Sequence, residues 1–324
     1  MNARPVYSDL AVTGDALDLL RAGVGTHPLI QARRPTTSVL GKAEPDDAFL
    51  DAVVAFGQPD LVSIRASDRL KWIHLSSAGY TRYDSEAFRE YARSRELIVT
   101  NSSQVYAQPC AEHVFSFLMA QARALPEQLA TRTANGSPDW FRLRALPRSP
   151  RGQTVLILGY GTIAEHLIPL LAPFGMQVIA LRRQPRGKEP VRIISPDDLA
   201  AVLPQTDHLV NLLPDNAASR QFVSKALLDA LKPGAAFYNI GRGTTVDQTA
   251  LDRALRSGRL AAAWLDVTEP EPLPDGHPLW SAPNCHITPH TAGGHHFEHE
   301  ALVRHFLQNL RRFEAGTPLI DRVM

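Results

Sequence analysis

The sequence predicts an α/β protein built on doubly wound parallel sheets. Its 324 residues are enough for about two domains, each with its own core. Short apolar runs alternate with stretches of helical pattern, as expected for parallel strands joined by crossover helices. The hydrophobic fraction of 44% is that of an ordinary globular protein and indicates an ordered chain.

The first hundred residues predict a small parallel sheet. Ala52–Phe56, Trp72–Leu75 and Leu97–Thr100 are apolar runs of the kind that form buried strands. Asp84–Glu96 lies between the last two runs and has a helical pattern. Cys110–Arg123 is long and apolar enough for a buried helix.

From Gly152 onward the pattern is more regular and predicts a larger doubly wound sheet. Ser195 followed by Asp198 predicts a helical capping box, and Pro169 predicts a kink in the helix after the first strand. Six segments have the composition of strands: Thr154–Leu158, Gln177–Leu181, His208–Leu213, Ala235–Ile240, Ala261–Val267 and His286–Thr288.

The structure of two remaining segments is predicted from their pattern of polar and apolar residues. Pro126–Arg151 is poor in apolar residues and is predicted to form loops and an arm. Phe297–Ala315 carries its apolar residues at helical spacing, which predicts one amphipathic helix at the end of the chain.

Composition excludes several classes of protein. With 34 Lys and Arg against 33 Asp and Glu, the net charge is +1, which gives no support to a nucleic-acid partner. Two cysteines, Cys110 and Cys285, cannot form a disulfide framework or a cysteine-rich metal site. The sequence shows no signal peptide and no apolar run of membrane-spanning length, so we expect a cytoplasmic protein without a membrane partner.

A glycine-rich turn follows the predicted strand Thr154–Leu158. Gly159-Tyr160-Gly161-Thr162-Ile163-Ala164 has the spacing G-x-G-x-x-A and opens a predicted helix. The first glycine allows a tight turn, the second lets a pyrophosphate approach the backbone, and a small third residue allows the helix to pack on the strand. The helix N-terminus then offers free N–H groups to the phosphates. This context predicts a dinucleotide site.

The residues after the next strand predict which dinucleotide binds. NAD sites carry an acid about 20 residues beyond the glycines, which accepts from the ribose 2′-hydroxyl. Here Arg182 and Arg183 stand in that place. An arginine pair can bind a 2′-phosphate through forked, charge-assisted hydrogen bonds. We therefore expect NADP(H) to be preferred, with NAD(H) possible.

Arg, Glu and His side chains follow the last three predicted strands. Arg242 lies in Asn239–Gly243, Glu271 follows Ala261–Val267, and His290 follows His286–Thr288. The carboxyl ends of parallel strands share one edge, where such folds bind ligands. An arginine can hold a carboxylate and polarise a carbonyl, a histidine can deliver a proton, and a carboxylate can orient the imidazole. Together they predict reduction of a 2-oxo acid.

From about Trp72 to Gly294 the chain resembles the D-isomer-specific 2-hydroxyacid dehydrogenase family. The stretches that carry the resemblance are Trp72–Asp84, Asn101–Arg123, the glycine-rich turn, NIGRG, LDVTEPEPL, and HPLW followed by PNCHITPHTAG. The resemblance implies that Arg242, Glu271 and His290 are the catalytic residues and that Asp266 faces the nicotinamide. It also implies that backbone amides of the Ser77-Ala78-Gly79 turn bind the substrate carboxylate, and Gln58 of the neighbouring loop is a further expected substrate contact. The remaining implied cofactor contacts are Leu213, Pro214, Ile240, Gly241 and Gly293.

The family's layout is discontinuous. It implies a flavodoxin-like substrate domain of residues 1–103 plus 291–324 and an inserted Rossmann-like cofactor domain of residues 104–290. It also implies a homodimer joined through an arm at about 126–151. Glyoxylate or hydroxypyruvate is the expected substrate. Phe56–Pro59 carries no arginine, which disfavours a phosphorylated substrate, and Ala107 stands where many relatives have Thr near the nicotinamide.

The sequence leaves other functions of the same fold open. Formate-oxidising relatives pair the histidine with Gln, so Glu271 disfavours that reaction, whereas a phosphite-type dehydrogenase of the same fold stays open. A non-catalytic, nucleotide-sensing protein like the family's corepressor members would need affinity but no turnover. His295 and His299 have helical spacing, but no third ligand is identifiable and we predict no metal site. A pocket-lining role for His295 and His296 stays open.

Overall fold

The computed structural model describes residues 3–36 and 44–324, and these divide into two compact units. Unit 1 comprises Met1–Tyr106 and His295–Met324, and unit 2 comprises Ala107–Gly294. Unit 2 is therefore inserted into the chain of unit 1.

Strands and helices are numbered in chain order. The strands are β1 (Val6–Leu10), β2 (Leu29–Thr36), β3 (Val54–Gly57), β4 (Trp72–Leu75), β5 (Ile98–Thr100), β6 (Thr154–Leu158), β7 (Gln177–Leu181), β8 (Arg192–Ile194), β9 (His208–Asn211), β10 (Ala235–Asn239), β11 (Leu260–Leu265) and β12 (Cys285–Ile287). The α-helices are α1 (Gly14–Gly23), α2 (Leu61–Ala66), α3 (Glu86–Ser94), α4 (Ser103–Ala122), α5 (Leu125–Ala130), α6 (Pro138–Ala145), α7 (Thr162–Leu171), α8 (Leu199–Val202), α9 (Lys225–Ala230), α10 (Gln248–Arg256) and α11 (Glu298–Glu314).

Unit 1 contains a five-stranded parallel sheet in the order β2-β1-β3-β4-β5. This is the flavodoxin-like order, in which the direction of winding reverses between β1 and β3. The C-terminal helix α11 packs on one face of this sheet. Phe306 stacks on Phe56 with ring centroids 4.4 Å apart and on Trp72 at 5.4 Å. The apolar stripe of the predicted terminal helix is thus buried in the core of unit 1.

Unit 2 contains a seven-stranded parallel sheet in the order β12-β11-β10-β9-β6-β7-β8. The strand order reverses between β6 and β9, which is the point where open α/β sheets bind their ligands. The central strands are mostly apolar, as expected for a sheet covered on both faces, and their polar residues lie at the strand ends. The predicted α/β class with two doubly wound parallel sheets is confirmed.

Several elements differ from their prediction. β1, β2 and β8 were missed: half of the residues of β2 (LIQARRPT) are polar, and β8 is a three-residue strand at the sheet edge. The segment expected to be loops contains α5 and α6, and Ser137 caps α6 by accepting from the Trp140 amide at 3.1 Å. α7 continues to Leu171, two residues past Pro169.

Helix α4 begins at Ser103, seven residues before the predicted start. The Gln104 amide donates to Asp321 Oδ2 at 2.9 Å, a partner 217 positions away that local pattern cannot reveal. Across residues 3–36 and 44–324, no helix is long and apolar enough to cross a membrane.

Candidate active site

The glycine-rich turn of unit 2 lies at the carboxyl end of β6. Gly159 has φ +98°, a backbone conformation that residues with side chains rarely adopt, and a Cβ built on it would lie 3.3 Å from the Leu212 carbonyl oxygen that follows β9. Gly161 is the N-cap of α7, and a Cβ built on it would meet no atom of the described residues within 4 Å apart from its own chain neighbours. The turn therefore leaves open space directly over the N-terminus of a ten-residue helix. These residues fit the pyrophosphate of a dinucleotide.

The two arginines after β7 have different surroundings. Arg182 Nη1 lies 3.2 Å from Glu189 Oε1, and its guanidinium lies 5.4 Å from the centre of the Tyr160 ring. Arg183 is exposed. Arg182 is thus held between an acid of its own loop and the aromatic residue of the glycine-rich turn.

Glu189 organises this loop and was missed from the sequence. Its carboxylate also accepts from the backbone amides of Arg186, at 2.7 Å, and Lys188, at 3.0 Å. These hydrogen bonds, together with the charge of Arg182, lower the pKa of Glu189. The sequence signal for this ion pair was an acid seven residues after Arg182, at the end of a short loop.

The turn that carries Arg242 is held by a buried network of polar side chains. Asn211 Nδ2 donates to Asn239 Oδ1 at 2.9 Å and to Thr245 Oγ1 at 2.7 Å. Asn239 Nδ2 and Thr245 Oγ1 in turn donate to the Arg242 carbonyl, at 3.1 and 2.6 Å. The Arg242 Nη1 donates to the Gly241 carbonyl at 2.6 Å. The backbone of the turn is therefore fixed from two neighbouring strands.

The turn of Arg242 also packs closely on the loop after β11. A Cβ on Gly243 would overlap the backbone carbonyl of Thr268. Gln248, the first residue of α10, holds Glu269, because its side-chain oxygen accepts from the Glu269 amide at 3.0 Å. These contacts fix the start of the segment that leads to Glu271.

His290 and Glu271 form a close pair. His290 Nδ1 lies 2.5 Å from Glu271 Oε1, and the two side chains are 32% and 23% exposed. A carboxylate can only accept, so Nδ1 carries the hydrogen of this bond. Nε2 is then the ring nitrogen left for other chemistry.

Asp266 directly follows β11 and is buried. Its carboxylate accepts from the Thr288 hydroxyl at 2.6 Å, the Thr291 amide at 2.8 Å and the Ala292 amide at 3.0 Å. Its contact with a nicotinamide stays a prediction. The structure adds that both of its oxygens bind the segment that carries His290.

The predicted cofactor contacts Leu213, Pro214, Ile240, Gly241 and Gly293 also follow strand ends of unit 2. A Cβ on Gly241 would lie 2.7 Å from the Leu213 carbonyl, so the turns after β9 and β10 touch. Ile240 is buried beneath them.

Burial suppresses ionisation of the two cysteine thiols. Burial raises the pKa of Cys110 to about 12; the charge of Asp266 raises it further, and that of Arg242 opposes the shift. Burial likewise raises the pKa of Cys285 to about 12. Thiolate chemistry at this site is therefore disfavoured.

Unit 1 places its predicted substrate residues at adjacent strand ends. Gln58, after β3, donates through Nε2 to Ser77 Oγ at 2.9 Å, and Ser77 Oγ donates to the Gly79 carbonyl at 2.6 Å. Asn101 Nδ2 holds the Ala78 carbonyl from β5, at 2.6 Å. The Ser77-Ala78-Gly79 turn is thus oriented from both sides.

Asp9 supports the Gln58 loop and was not predicted. Its Oδ1 accepts from the Gln58 amide at 2.7 Å, and a Cβ on Gly57 would overlap the same oxygen. Burial raises the pKa of Asp9 to about 6, against the opposing effects of the Gln58 amide and Arg82. No sequence pattern marked this residue, because its partner lies 49 positions away.

The histidines after His290 do not assemble a metal site. Throughout the described part of the chain, no three His, Cys, Asp or Glu side chains are arranged to hold a metal ion. His296 and His299 are exposed, and His295 is half-buried.

Residues 115–292 match the family model of the D-isomer specific 2-hydroxyacid dehydrogenase NAD binding domain. Glyoxylate reductase/hydroxypyruvate reductase of Homo sapiens is 34% identical over 232 residues, covering 70% of this chain and 70% of that protein. Glyoxylate reductase of Aeropyrum pernix is 31% identical over 291 residues, covering 87% and 84%.

A crystal structure of a D-isomer specific 2-hydroxyacid dehydrogenase from Xanthobacter autotrophicus Py2, in complex with NADPH and MES, is similar along the whole chain. Its TM-score is 0.79 at 28% identity, covering 100% of this chain and 98% of that one. The chain belongs to the D-isomer-specific 2-hydroxyacid dehydrogenase family and is an NAD(P)-dependent oxidoreductase.

Proposed function

We propose that this enzyme reduces a small 2-oxo acid of the glyoxylate or hydroxypyruvate class to the D-2-hydroxy acid, with NADPH as preferred cofactor. The observation that carries the proposal is the 2.5 Å pair of His290 and Glu271 on the sheet edge that also carries Arg242. The names of the human and Aeropyrum pernix relatives support the substrate class.

In this proposal the bound cofactor supplies hydride to C2 of the substrate. His290, protonated, donates from Nε2 to the carbonyl oxygen as negative charge develops there. Glu271 holds the ring through Nδ1 and stabilises the imidazolium. Arg242 binds the carboxylate and polarises the carbonyl. In the oxidation direction His290 takes up the hydroxyl proton at the same nitrogen.

Further substrate contacts are proposed from the family resemblance of the Ser77-Ala78-Gly79 turn and the loop of Gln58. The backbone amides of Ala78 and Gly79 bind the substrate carboxylate. Hydrogen bonds from Ser77 and Asn101 to the carbonyls of this turn hold the amides in position. Gln58 is neutral, and this disfavours a phosphorylated substrate, which would require a cation at that loop.

Asp266, Leu213, Pro214, Ile240 and Gly293 complete the proposed cofactor contacts. Together with Gly241 and the glycine-rich turn they follow five strands of the unit 2 sheet, which include β6 and β9, the pair between which the strand order reverses.

Initial rates test the proposed reaction. We would measure glyoxylate, hydroxypyruvate and pyruvate reduction, and formate and phosphite oxidation, each with both cofactors. Saturable reduction of a two- or three-carbon 2-oxo acid, fastest with NADPH, is expected. Faster oxidation of phosphite, or no turnover of any 2-oxo acid, would overturn the proposal.

Charge reversal at Arg182 tests the cofactor preference. Arg182→Asp places a carboxylate where we propose a 2′-phosphate, next to Glu189. The KM for NADPH is expected to rise about 10- to 100-fold, the value of one charge-assisted hydrogen bond, while the KM for NADH stays within about twofold. Steady-state kinetics with each cofactor measures both.

Arg253→Asp is the matched control for Arg182→Asp, because Arg253 is an exposed arginine of α10 away from the glycine-rich turn. It should leave both KM values unchanged. An unaltered KM for NADPH in Arg182→Asp, or wild-type enzyme equally efficient with NADH, would show that the 2′-phosphate is not read here.

We also propose a homodimer joined through α5 and α6. Leu129 is 79% exposed and Phe141 61% exposed, large values for apolar side chains on two successive helices. Light scattering is expected to give the mass of two chains for the wild type and of one chain for Leu129→Asp. A wild-type mass of one chain at micromolar concentration would contradict this.

A further inference from the structure

The turn that carries His290 has an unfavourable backbone. His290 has φ +52°, in the left-handed region that residues other than glycine seldom occupy. Such a conformation persists at a functional site only when the surrounding structure imposes it. One part of that constraint is local, because the His290 amide donates to the carbonyls of Asp266 and Thr288, both at 3.0 Å.

The second part is the Asp266 carboxylate. Its side chain is 1% exposed, and it binds the turn on both sides of His290: the Thr288 hydroxyl before it, and the amides of Thr291 and Ala292 after it. The Asp266 carboxylate can hold this turn only if the carboxylate is itself held in position.

Thr288 links this carboxylate to a histidine on α4. The Thr288 hydroxyl has one hydrogen, which it donates to Asp266 Oδ1. His113 Nε2 lies 3.3 Å from the same hydroxyl oxygen and 3.9 Å from Asp266 Oδ1. Since Thr288 has no second hydrogen to give, Nε2 must be the donor. Burial lowers the pKa of His113, which favours the neutral ring and hence a single tautomer with hydrogen on Nε2.

His113 is itself held by packing. Its ring lies edge-on to Phe117 with centroids 4.3 Å apart, and Phe117 lies 4.9 Å from Trp264 of β11. Gln121, one turn further along α4, accepts from Trp264 Nε1 at 3.0 Å. Three residues at a spacing of four therefore dock one face of α4 on the strand that ends in Asp266.

We propose that His113 and Thr288 are positioning residues for the reaction: a hydrogen-bond chain from His113 Nε2 through the Thr288 hydroxyl to Asp266 holds His290 at the place from which it transfers the proton. The chain runs in one direction, with each member donating to the next. The expected effect on kcat rests on the proposed function, in which His290 transfers the proton. The expected effect on the backbone of residues 290–292 does not rest on it.

Thr288→Val and Thr288→Ser form a matched pair. Valine keeps the branched shape and removes the hydroxyl, while serine keeps the hydroxyl. In Thr288→Val we expect kcat to fall about tenfold or more and the KM for the cofactor to stay within about twofold, since misplacement of a reacting group acts on the chemical step. Thr288→Ser should recover kcat to within about threefold of wild type.

Amide hydrogen exchange gives a readout that needs no substrate. In Thr288→Val the amides of His290, Thr291 and Ala292 should exchange about tenfold faster than in wild type, while the strands of unit 1 keep their protection. Uniform acceleration throughout the chain would show a general loss of stability and would overturn the positioning role.

His113→Gln and His113→Leu test the first member of the chain, since glutamine can donate to Thr288 and leucine cannot. We expect His113→Leu to reproduce the effects of Thr288→Val in smaller degree and His113→Gln to retain wild-type exchange in the 290–292 segment. Wild-type exchange and kcat in both Thr288→Val and His113→Leu would overturn the proposal. Absence of 2-oxo acid turnover in the wild type would instead overturn the proposed function, with the exchange result still deciding on the chain.

Discussion

His290→Ala is expected to lower kcat for 2-oxo acid reduction by about 10²- to 10⁴-fold, the usual contribution of a positioned general acid. The physical reason is the loss of the ring that Glu271 holds through Nδ1, and with it the donor at Nε2. The cofactor dissociation constant should change by less than about threefold, since the glycine-rich turn lies on another part of the sheet edge. Stopped-flow turnover and fluorescence titration measure the two quantities separately.

Glu271→Gln is the informative companion to His290→Ala. Glutamine keeps a side-chain oxygen that can accept from Nδ1 and removes the charge that stabilises the imidazolium. We expect a smaller loss of kcat, about 10- to 100-fold. Because the two residues act as a unit, the double variant should be little worse than His290→Ala alone.

His299→Ala is the control for these two variants, because His299 is an exposed histidine in the first turn of α11 and has no proposed role. It should behave as wild type. Near-wild-type kcat of His290→Ala on every accepted substrate would contradict the assignment of the proton donor.

The strand-end residues could be predicted because the topology of a parallel sheet limits where they lie. Buried strands are continuous apolar runs, so β6, β7, β9, β10 and β11 were visible as such, and their carboxyl ends must share an edge. Arg242, which follows β10, was placed at this edge in this way, and the strand before His290 was predicted one residue later than β12. The polar strand β2 and the three-residue strand β8 gave no such signal, since edge strands need not be apolar.

The residues that support the site could not be predicted in the same way. Asn211, Thr245 and His113 act through side-chain hydrogen bonds to partners 28 to 175 positions away. Neither composition nor periodicity encodes such a pair; it exists only once the strands are in register. Glu189 shows the intermediate case, in which a local acid was visible but its bond to Arg182 was not.

Two glycines with ordinary backbone angles are expected to respond to alanine in opposite ways. Neither Gly161 nor Gly243 has a positive φ, so a Cβ causes no backbone strain at either position. At Gly161 the Cβ would enter the open space over α7, whereas at Gly243 it would overlap the Thr268 carbonyl. We assign the open space at Gly161 to the cofactor, whereas the space at Gly243 is filled by the backbone of Thr268.

Gly161→Ala should therefore weaken cofactor binding and Gly243→Ala should weaken the fold. For Gly161→Ala we expect a cofactor dissociation constant raised about tenfold or more, with the free energy of unfolding lowered by no more than about 1 kcal/mol, the cost of alanine at a helix N-cap. For Gly243→Ala we expect a loss of about 1–3 kcal/mol from overpacking, or more if Thr268 cannot move.

Urea unfolding and fluorescence titration of both variants separate the two outcomes. In Gly243→Ala any backbone shift at Thr268 is transmitted to the segment that leads to Glu271, so kcat should fall even where the protein remains folded. Wild-type cofactor affinity in Gly161→Ala would mean that no pyrophosphate crosses this turn, because the added methyl group, apart from its chain neighbours, meets no atom of the described residues within 4 Å and would act on a ligand.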